Sequence, residues 1–528
     1  MARSEGPPWW RRGPIYQIYP RSFCDSDGDG VGDLPGIATR LDHLRGAPNS
    51  LGVEAVWLSP FYRSPMADGG YDICDHTAVD PLFGSLEDFD ELVAQARARG
   101  IRVVVDWVGN HTSDRHGWFE ESRASRGSPR RDWYVWRDGR GPGRPPNNWT
   151  TAWKEPGPAW TWDDRTAQWY LHSFLAAQPD LNWDNPDVER AMFDVLRFWL
   201  DRGVSGFRLD AVYKLGKDPA LGDDEPDRRH SEHWPTVHER LRRLRSLLET
   251  YDGAIAVGEV YAETQRVLVE YVNSGDELHM VHNFNLLLQP WKADRFRAVI
   301  DDFAAVAEPG VWPAWCLNNH DHPRLASRYD ADGRGHLRAR VAAMLLLTLR
   351  GTAFLYQGEE LGLRDAEVPP ELATDVDGRD PPRAPLPWEA PSVAGPGAGF
   401  TAGRPWLPLP PDAERANVAA QARDPGSTLS LYRRLIALRG SSVALTAGSQ
   451  TTIDGGPGIL AYLREAADER LLVALNFTPH RAALSEDAGR LAAGGRVAMR
   501  TGTASAPADE PRGDLALDAD EGIVVALG

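Results

Sequence analysis

Short apolar runs recur along this chain, with amphipathic segments between them. Eight stand out, at residues 15–19, 53–58, 101–107, 204–209, 254–260, 280–285, 311–317 and 353–356. The segments between them place apolar residues at helical spacing, as in 86–99 (Leu86, Phe89, Leu92, Val93, Ala96) and in 188–202, where Pro186 suits a helix start. Strand and helix in alternation imply right-handed crossovers and a parallel sheet. Eight repeats predict a (β/α)8 barrel, a fold whose functional residues gather at the C-terminal ends of the strands.

Two stretches interrupt the repeat. The connection from about 111 to 183 is too long for a loop and is rich in Trp, Gly and Pro, so an inserted subdomain is expected there. Residues 359–415 form a second, proline-rich excursion, and a helix near 427–439 closes the barrel. From about residue 440 the pattern changes to short alternating strands (459–463, 471–476, 522–527), as in a small antiparallel β domain. The expected organisation is barrel over 1–110 and 184–439, insert over 111–183, and β domain over 440–528.

Composition narrows the partners. A formal net charge of −18 on 528 residues disfavours nucleic acid and anionic membranes and favours a neutral substrate. Twenty tryptophans supply many flat faces on which sugar rings can pack. Three widely spaced cysteines, Cys24, Cys74 and Cys316, suggest neither a disulfide framework nor a zinc site. Residues 1–12 hold no apolar core of a leader peptide, and the apolar run at 341–349 is too short to span a bilayer. A cytoplasmic protein is the expectation.

The candidate chemistry begins with Gly206–Phe207–Arg208–Leu209–Asp210. Residues two apart on a strand share a face, so Arg208 and Asp210 point the same way, and the guanidinium favours an ionised carboxylate suited to nucleophilic attack. Three further stretches each end an apolar run: Asp106–Trp107–Val108–Gly109–Asn110–His111, Val257–Gly258–Glu259–Val260 and Asn318–Asn319–His320–Asp321. Together, in this order, the four resemble the signature regions of the alpha-amylase superfamily, glycoside hydrolase family 13. They would end strands three, four, five and seven. The resemblance implies Asp210 as nucleophile, Glu259 as general acid/base and Asp321 as the carboxylate that stabilises an oxocarbenium-like transition state. Retention by such a pair needs carboxyls about 5 Å apart.

By the same resemblance, His111 and His320 donate to sugar hydroxyls and Arg208 orients the nucleophile. Tyr71 stacks on the terminal glucose, Asp72 holds its distal hydroxyls, and Arg383 is a pocket residue. The segment Gln178–Pro179–Asp180–Leu181–Asn182–Trp183 is similar to the exo-acting branch. Asp25–Ser26–Asp27–Gly28–Asp29–Gly30–Val31–Gly32–Asp33 places oxygen donors at alternate positions, as hard cations prefer, but lacks the glutamate that closes an EF-hand loop. It resembles a structural Ca2+ loop, which implies ligands at Asp25, Asp27, Asp29, the Val31 carbonyl and Asp33. No organic cofactor is expected.

The expected activity is that of a retaining, exo-acting α-glucosidase on short α-glucosides. Ala211, directly after Asp210, points to α-1,4 bonds, because α-1,6-specific relatives carry Val there. His282 and Asn285 stand where relatives commonly carry Phe and Asp. The same site could instead serve a transglucosidase or a trehalose-forming isomerase. A non-catalytic adaptor of this fold would lack the carboxylates and carry a membrane segment.

Overall fold

The computed structural model describes residues 7–502 and 515–528. Eight parallel strands close a barrel: β1 (Ile15–Ile18), β2 (Ala55–Leu58), β3 (Arg102–Val108), β4 (Gly206–Asp210), β5 (Ile255–Glu259), β6 (Met280–His282), β7 (Ala314–Cys316) and β8 (Thr352–Tyr356). Each strand pairs with its neighbours in sequence, and β1 closes the ring against β8. Register sets the site: Asp106 lies beside Arg208, which lies beside Val257, and Val108 lies beside Asp210.

Alternation along these strands sorts the side chains. Ile15, Trp57, Val104, Val257, Met280, Cys316 and Phe354 pack together inside the barrel. Two residues further along, the same inward column carries Gln17, Asp106, Glu259 and His282, all buried. The barrel interior is therefore apolar at its base and polar at its C-terminal mouth. The other faces of the strands, including Val105, Phe207, Leu209 and Ala256, join the large core beneath the helices. Gly206 is glycine for a steric reason, since a Cβ there would stand 2.6 Å from the Ile255 side chain and carbonyl oxygen on β5.

Local signals set the helices. Ser85 and Asp88 form a capping box that starts the helix Leu86–Ala98. Asn185 caps the helix Pro186–Asp201, with Pro186 at its first position. Between β3 and β4 the chain builds a separate three-stranded antiparallel sheet from Trp136–Arg137, Trp160–Asp163 and Gln168–Leu171. Isolated bridges His111 to Asp180 and Tyr134 to Leu181 draw the ends of this insert together over the barrel mouth.

The C-terminal part is a five-stranded antiparallel sheet in the order Ser449–Asp454, Ile459–Ala466, Glu469–Asn476, Gly522–Leu527, Arg496–Arg500. It adds two strands to those expected, Ser449–Asp454 and Arg496–Arg500, and a helix, Glu486–Ala492. Buried arginines fasten it to the barrel: Arg464 donates to the Thr348 carbonyl, and Arg340 donates to the Thr501 carbonyl at 2.7 Å. Cys24, Cys74 and Cys316 are free thiols. No helix among the described residues is long and apolar enough to cross a membrane.

Candidate active site

The mouth of the barrel holds one guanidinium shared by three acids. Arg208, buried on β4, donates through Nη1 to Asp106 at 2.7 Å and to Asp210 at 2.6 Å, while its Nη2 stands 2.8 Å from Glu259 Oε2. The second oxygen of Asp106 accepts from Trp57 Nε1 at 2.8 Å. Glu259 Oε2 also accepts the Ala211 backbone N–H at 2.8 Å. Ala211 reaches that position by adopting a left-handed conformation, φ 40° and ψ 41°, which costs an L-residue roughly 1–2 kcal/mol.

Burial dominates these acids. It raises Asp106 to about 6 against the pull of Arg208. It raises Asp210 too, with Arg208 opposing and Asp106 reinforcing. Glu259 is raised furthest: burial comes first, Arg208 opposes it, and the charges of Asp210 and Asp321 add to it. One cation cannot hold three buried carboxylates ionised, and the proton falls to Glu259.

Asp321 lies in a different field. Burial would raise it, but the guanidiniums of Arg379 and Arg383, with the neutral His320 ring beside them, outweigh burial and hold it well below the carboxylate range. Arg379 Nη1 is 3.2 Å and Arg383 Nη2 is 3.1 Å from its Oδ1. His320, kept neutral mainly by burial, stacks on Tyr71 with centroids 5.5 Å apart. Gln17 Nε2 lies 2.7 Å from His320 Nδ1, which as acceptor leaves the ring proton on Nε2. That nitrogen faces the Tyr71 hydroxyl at 2.8 Å and Asp321 at 3.2 Å.

Asp210, Glu259, Asp321, His320 and Tyr71 line one cavity of about 490 Å³, together with Asp68, His111, Trp153, Phe174, Ala211 and Arg379. His111, buried and held below its usual pKa chiefly by burial, stands 3.1 Å from the Gln178 amide. The Gln178 amide in turn donates to Asp68 at 2.8 Å. Beneath them, Lys217 bridges Asp180 at 3.0 Å and Asn110 at 2.7 Å, which fixes the insert to the end of β3.

Two expected substrate residues sit elsewhere. Asp72 is fully buried and spends its carboxylate on its own loop, accepting from Ser64 Oγ, Asp68 N and Ala67 N at 3.0 Å each. The acid that reaches the cavity is Asp68, whose Oδ1 is 2.5 Å from Arg379 Nη2. Arg383 is behind the wall as well, where its Nε donates to the His320 carbonyl at 2.9 Å and its Nη1 stands 3.0 Å from Asp375. The arginine in the wall is Arg379. The signal for Asp68 lies in Asp68–Gly69–Gly70–Tyr71, where both glycines take positive φ (59° and 105°) and turn the loop so that Asp68 and Tyr71 face the same space. Arg379 and Arg383, four residues apart, share Asp375; the first precedes the short helical turn Pro381–Arg383 and the second ends it.

Asp25, Asp27 and Asp29 each offer one oxygen within 4.8 Å of the others, a donor set that fits a hard cation. Asp25 Oδ1 accepts the N–H groups of Asp27 and Gly28, which wraps the loop around it. Asp33 stands outside this cluster. Its oxygens accept Ser26 N at 2.8 Å and Gly36 N at 2.6 Å, and the latter caps the helix Leu34–Thr39. The Val31 N–H donates to Asp29 at 2.7 Å.

Comparison with known proteins agrees with this geometry. Residues 17–448 match the family described as "Alpha amylase, catalytic domain". A protein of Rhizobium meliloti named "Probable alpha-glucosidase" is 42% identical, covering 90% of this chain and 90% of its own. An "Oligo-1,6-glucosidase" of Parageobacillus thermoglucosidasius is 38% identical, covering 89% and 90%. Among solved structures, the alpha-glucosyl transfer enzyme XgtA superposes with a TM-score of 0.91 at 41% identity, covering 99% of this chain and 100% of that one. A match over most of the chain, with the carboxylates gathered at the mouth of a closed barrel, establishes that this protein belongs to the alpha-amylase family of glycoside hydrolases.

Proposed function

We propose that the chain is a retaining, exo-acting α-glucosidase, with Asp210 as nucleophile, Glu259 as acid/base and Asp321 as the stabilising carboxylate. The observation that carries this reading is that Asp210 and Glu259 share one guanidinium. Carboxylates bound to neighbouring nitrogens of a single planar group leave no room for the water that inversion requires between groups roughly 6.5–9.5 Å apart. Protonated Glu259 gives its proton to the glycosidic oxygen as Asp210 attacks the anomeric carbon, and the aglycone departs. Glu259, now a carboxylate, takes a proton from the water that releases glucose from Asp210. Ionised Asp321, with neutral His320 and His111, suits the hydroxyls and positive charge of the distorted ring.

Exo action is supported by the Asp68–Arg379 pair, which joins the loop after β2 to the excursion after β8 across one end of the cavity. A chain end fits against such a wall, and the middle of a polymer does not. For the linkage we propose α-1,4, on the small side chain of Ala211 in the cavity wall. The decisive measurement is glucose release from maltose, isomaltose, nigerose, trehalose and maltotetraose by the wild type and Glu259→Gln. Maltose cleavage lost in the variant is expected. Isomaltose cleaved in preference to maltose would overturn the linkage, and turnover surviving in Glu259→Gln would overturn the mechanism.

A second reading is favoured by the likeness to an alpha-glucosyl transfer enzyme. In it the glucosyl group on Asp210 passes to a second sugar rather than to water. New glucosides formed at high maltose concentration would support it, and glucose as sole product would exclude it.

We further propose that Asp25, Asp27 and Asp29 hold Ca2+, with the Val31 carbonyl and Asp33 as the remaining donors expected from the resemblance. Bound there, the ion supplies charge that joins the loop's carboxylates. The loop is also tied to the post-β8 excursion through Thr401, which donates to Asp25. Chelation should lower Tm by a few degrees, as expected for loss of a ligand bound by about 3 kcal/mol, with KM for maltose unchanged. A shift in KM without a shift in Tm would contradict it.

A further inference from the structure

The inserted subdomain carries a pocket that shares no residue with the catalytic cavity. Its floor is a cross-strand pair, Trp162 facing Trp169 on the hairpin of Trp160–Asp163 and Gln168–Leu171. The pair extends an apolar face that begins, two residues back on the same side of the sheet, with Trp160 opposite Leu171. Those two are sealed in a small core with Val135 and Trp149. Trp162 emerges from that core and is 43% exposed, while the sheet alternation that buries Trp160 would ordinarily bury its partner two residues on.

The indoles are held rather than loose. Trp162 Nε1 donates to Asp164 at 2.9 Å, and the two rings meet edge to face at 66° with centroids 5.5 Å apart. The loop of Gly139, Gly141, Pro142 and Gly143 forms the facing wall, and the enclosed space is about 540 Å³. Gly139 is packed so closely that a Cβ would lie 2.6 Å from Trp169 Nε1, so the wall is fitted to the platform. Asp138 sits on the rim, bridged to Gln168 at 3.0 Å and to Arg126 at 3.2 Å.

The chemistry selects the occupant. The net charge of −18 disfavours anions, Arg126 is paired with Asp138, and the Arg144 guanidinium beside Gly141 is turned to the Arg140 carbonyl, so no guanidinium at the rim is aimed into the pocket for an acidic ligand. A purely apolar ligand would cover the Asp138 and Gln168 rim without answering its hydrogen-bonding groups. A pyranose answers both demands, with a C–H face for the indole and hydroxyl donors for the carboxylate edge. We propose that the Trp162–Trp169 pocket is a second carbohydrate site, which holds a glucosyl unit of an α-1,4-glucan away from the catalytic cavity. It requires only that the chain meets α-glucans and does not depend on the linkage assigned to the catalytic reaction.

A cyclic α-1,4-glucan tests the site without engaging a cavity that accepts chain ends. β-Cyclodextrin titrated calorimetrically into the full-length wild type should bind one to one. Trp162→Ala should weaken that binding at least about tenfold, with Trp162→Phe in between, while kcat/KM for maltose stays within about twofold of wild type. The exposure of Trp162 makes both variants tolerable to the fold, and equal Tm values check this. No binding by the wild type, equal binding by wild type and Trp162→Ala, or competitive inhibition of maltose cleavage by the ring would each overturn the proposal.

Discussion

Two groups of three carboxylates stand at and behind the catalytic cavity, and they differ in how many cations they share. Asp106, Asp210 and Glu259 share the single guanidinium of Arg208, and burial lifts all three. Asp68, Asp321 and Asp375 share two guanidiniums, Arg379 and Arg383, with His320 alongside. There Asp321 and Asp375 are pulled down although burial alone would raise both. Burial works upward on the shifted acids of both groups, so the deciding quantity is the number of cations per acid. One cation for three acids leaves a proton available for transfer, and two cations for three acids leave a fixed negative charge. General acid catalysis needs the first and stabilisation of a cationic transition state needs the second.

The harshest test of this division exchanges a single oxygen on the Arg208 side. Asp210→Asn should lower kcat on maltose by about 10⁴-fold or more, since the proposed covalent step loses its nucleophile. Retention of wild-type kcat would dissolve the assignment of the two sides. A smaller loss is expected across the cavity. Arg379→Met removes one cation from Asp68, Asp321 and Asp375, and losing its contacts to the two acids that line the cavity should cost about 2–4 kcal/mol, or roughly 30- to 1,000-fold in kcat/KM. KM should carry much of that change, because the pair also closes the end of the cavity.

The smallest effect is a displacement along the pH axis. A negative neighbour opposes ionisation, so Asp106→Asn should make Asp210 and Glu259 easier to ionise. Both limbs of the kcat/KM profile should then move to lower pH, by about one unit. Wild-type activity should persist well above the ordinary glutamate range near 4.3, because Glu259 stays protonated until its raised pKa is passed. Limbs that stay in place in Asp106→Asn would mean that Arg208 is not shared as described.

How much of this was legible beforehand follows from where each residue sits. Strands buried on both faces read as unbroken apolar runs, so all eight barrel strands could be located from the sequence, and Arg208, Asp210 and Glu259 came with them. Ser449–Asp454 was missed because it is a half-exposed edge strand of polar residues with no apolar run to announce it. Asp68 and Arg379 lie on loops, where no periodicity fixes the direction of a side chain. Asp72 drew attention as the neighbour of Tyr71, although its carboxylate is needed to fold the loop that presents Asp68. The separate fates of Arg379 and Arg383, one in the wall and one behind it, depend on a helical turn that two prolines set but do not aim.

Ala211 joins two properties that an engineer would wish to vary separately. Its side chain lines the cavity, beside the leaving sugar of the proposed reaction, and its backbone N–H, presented by a left-handed turn, is a hydrogen-bond partner of Glu259. A bulkier residue chosen to reshape the acceptor space must also adopt that turn, which β-branched side chains resist. Any residue that relaxes the turn withdraws the amide from Glu259, the proposed acid/base. Selection for a new substrate at this position is therefore also selection on the basicity of Glu259, and changes of linkage here should arrive with a displaced pH optimum.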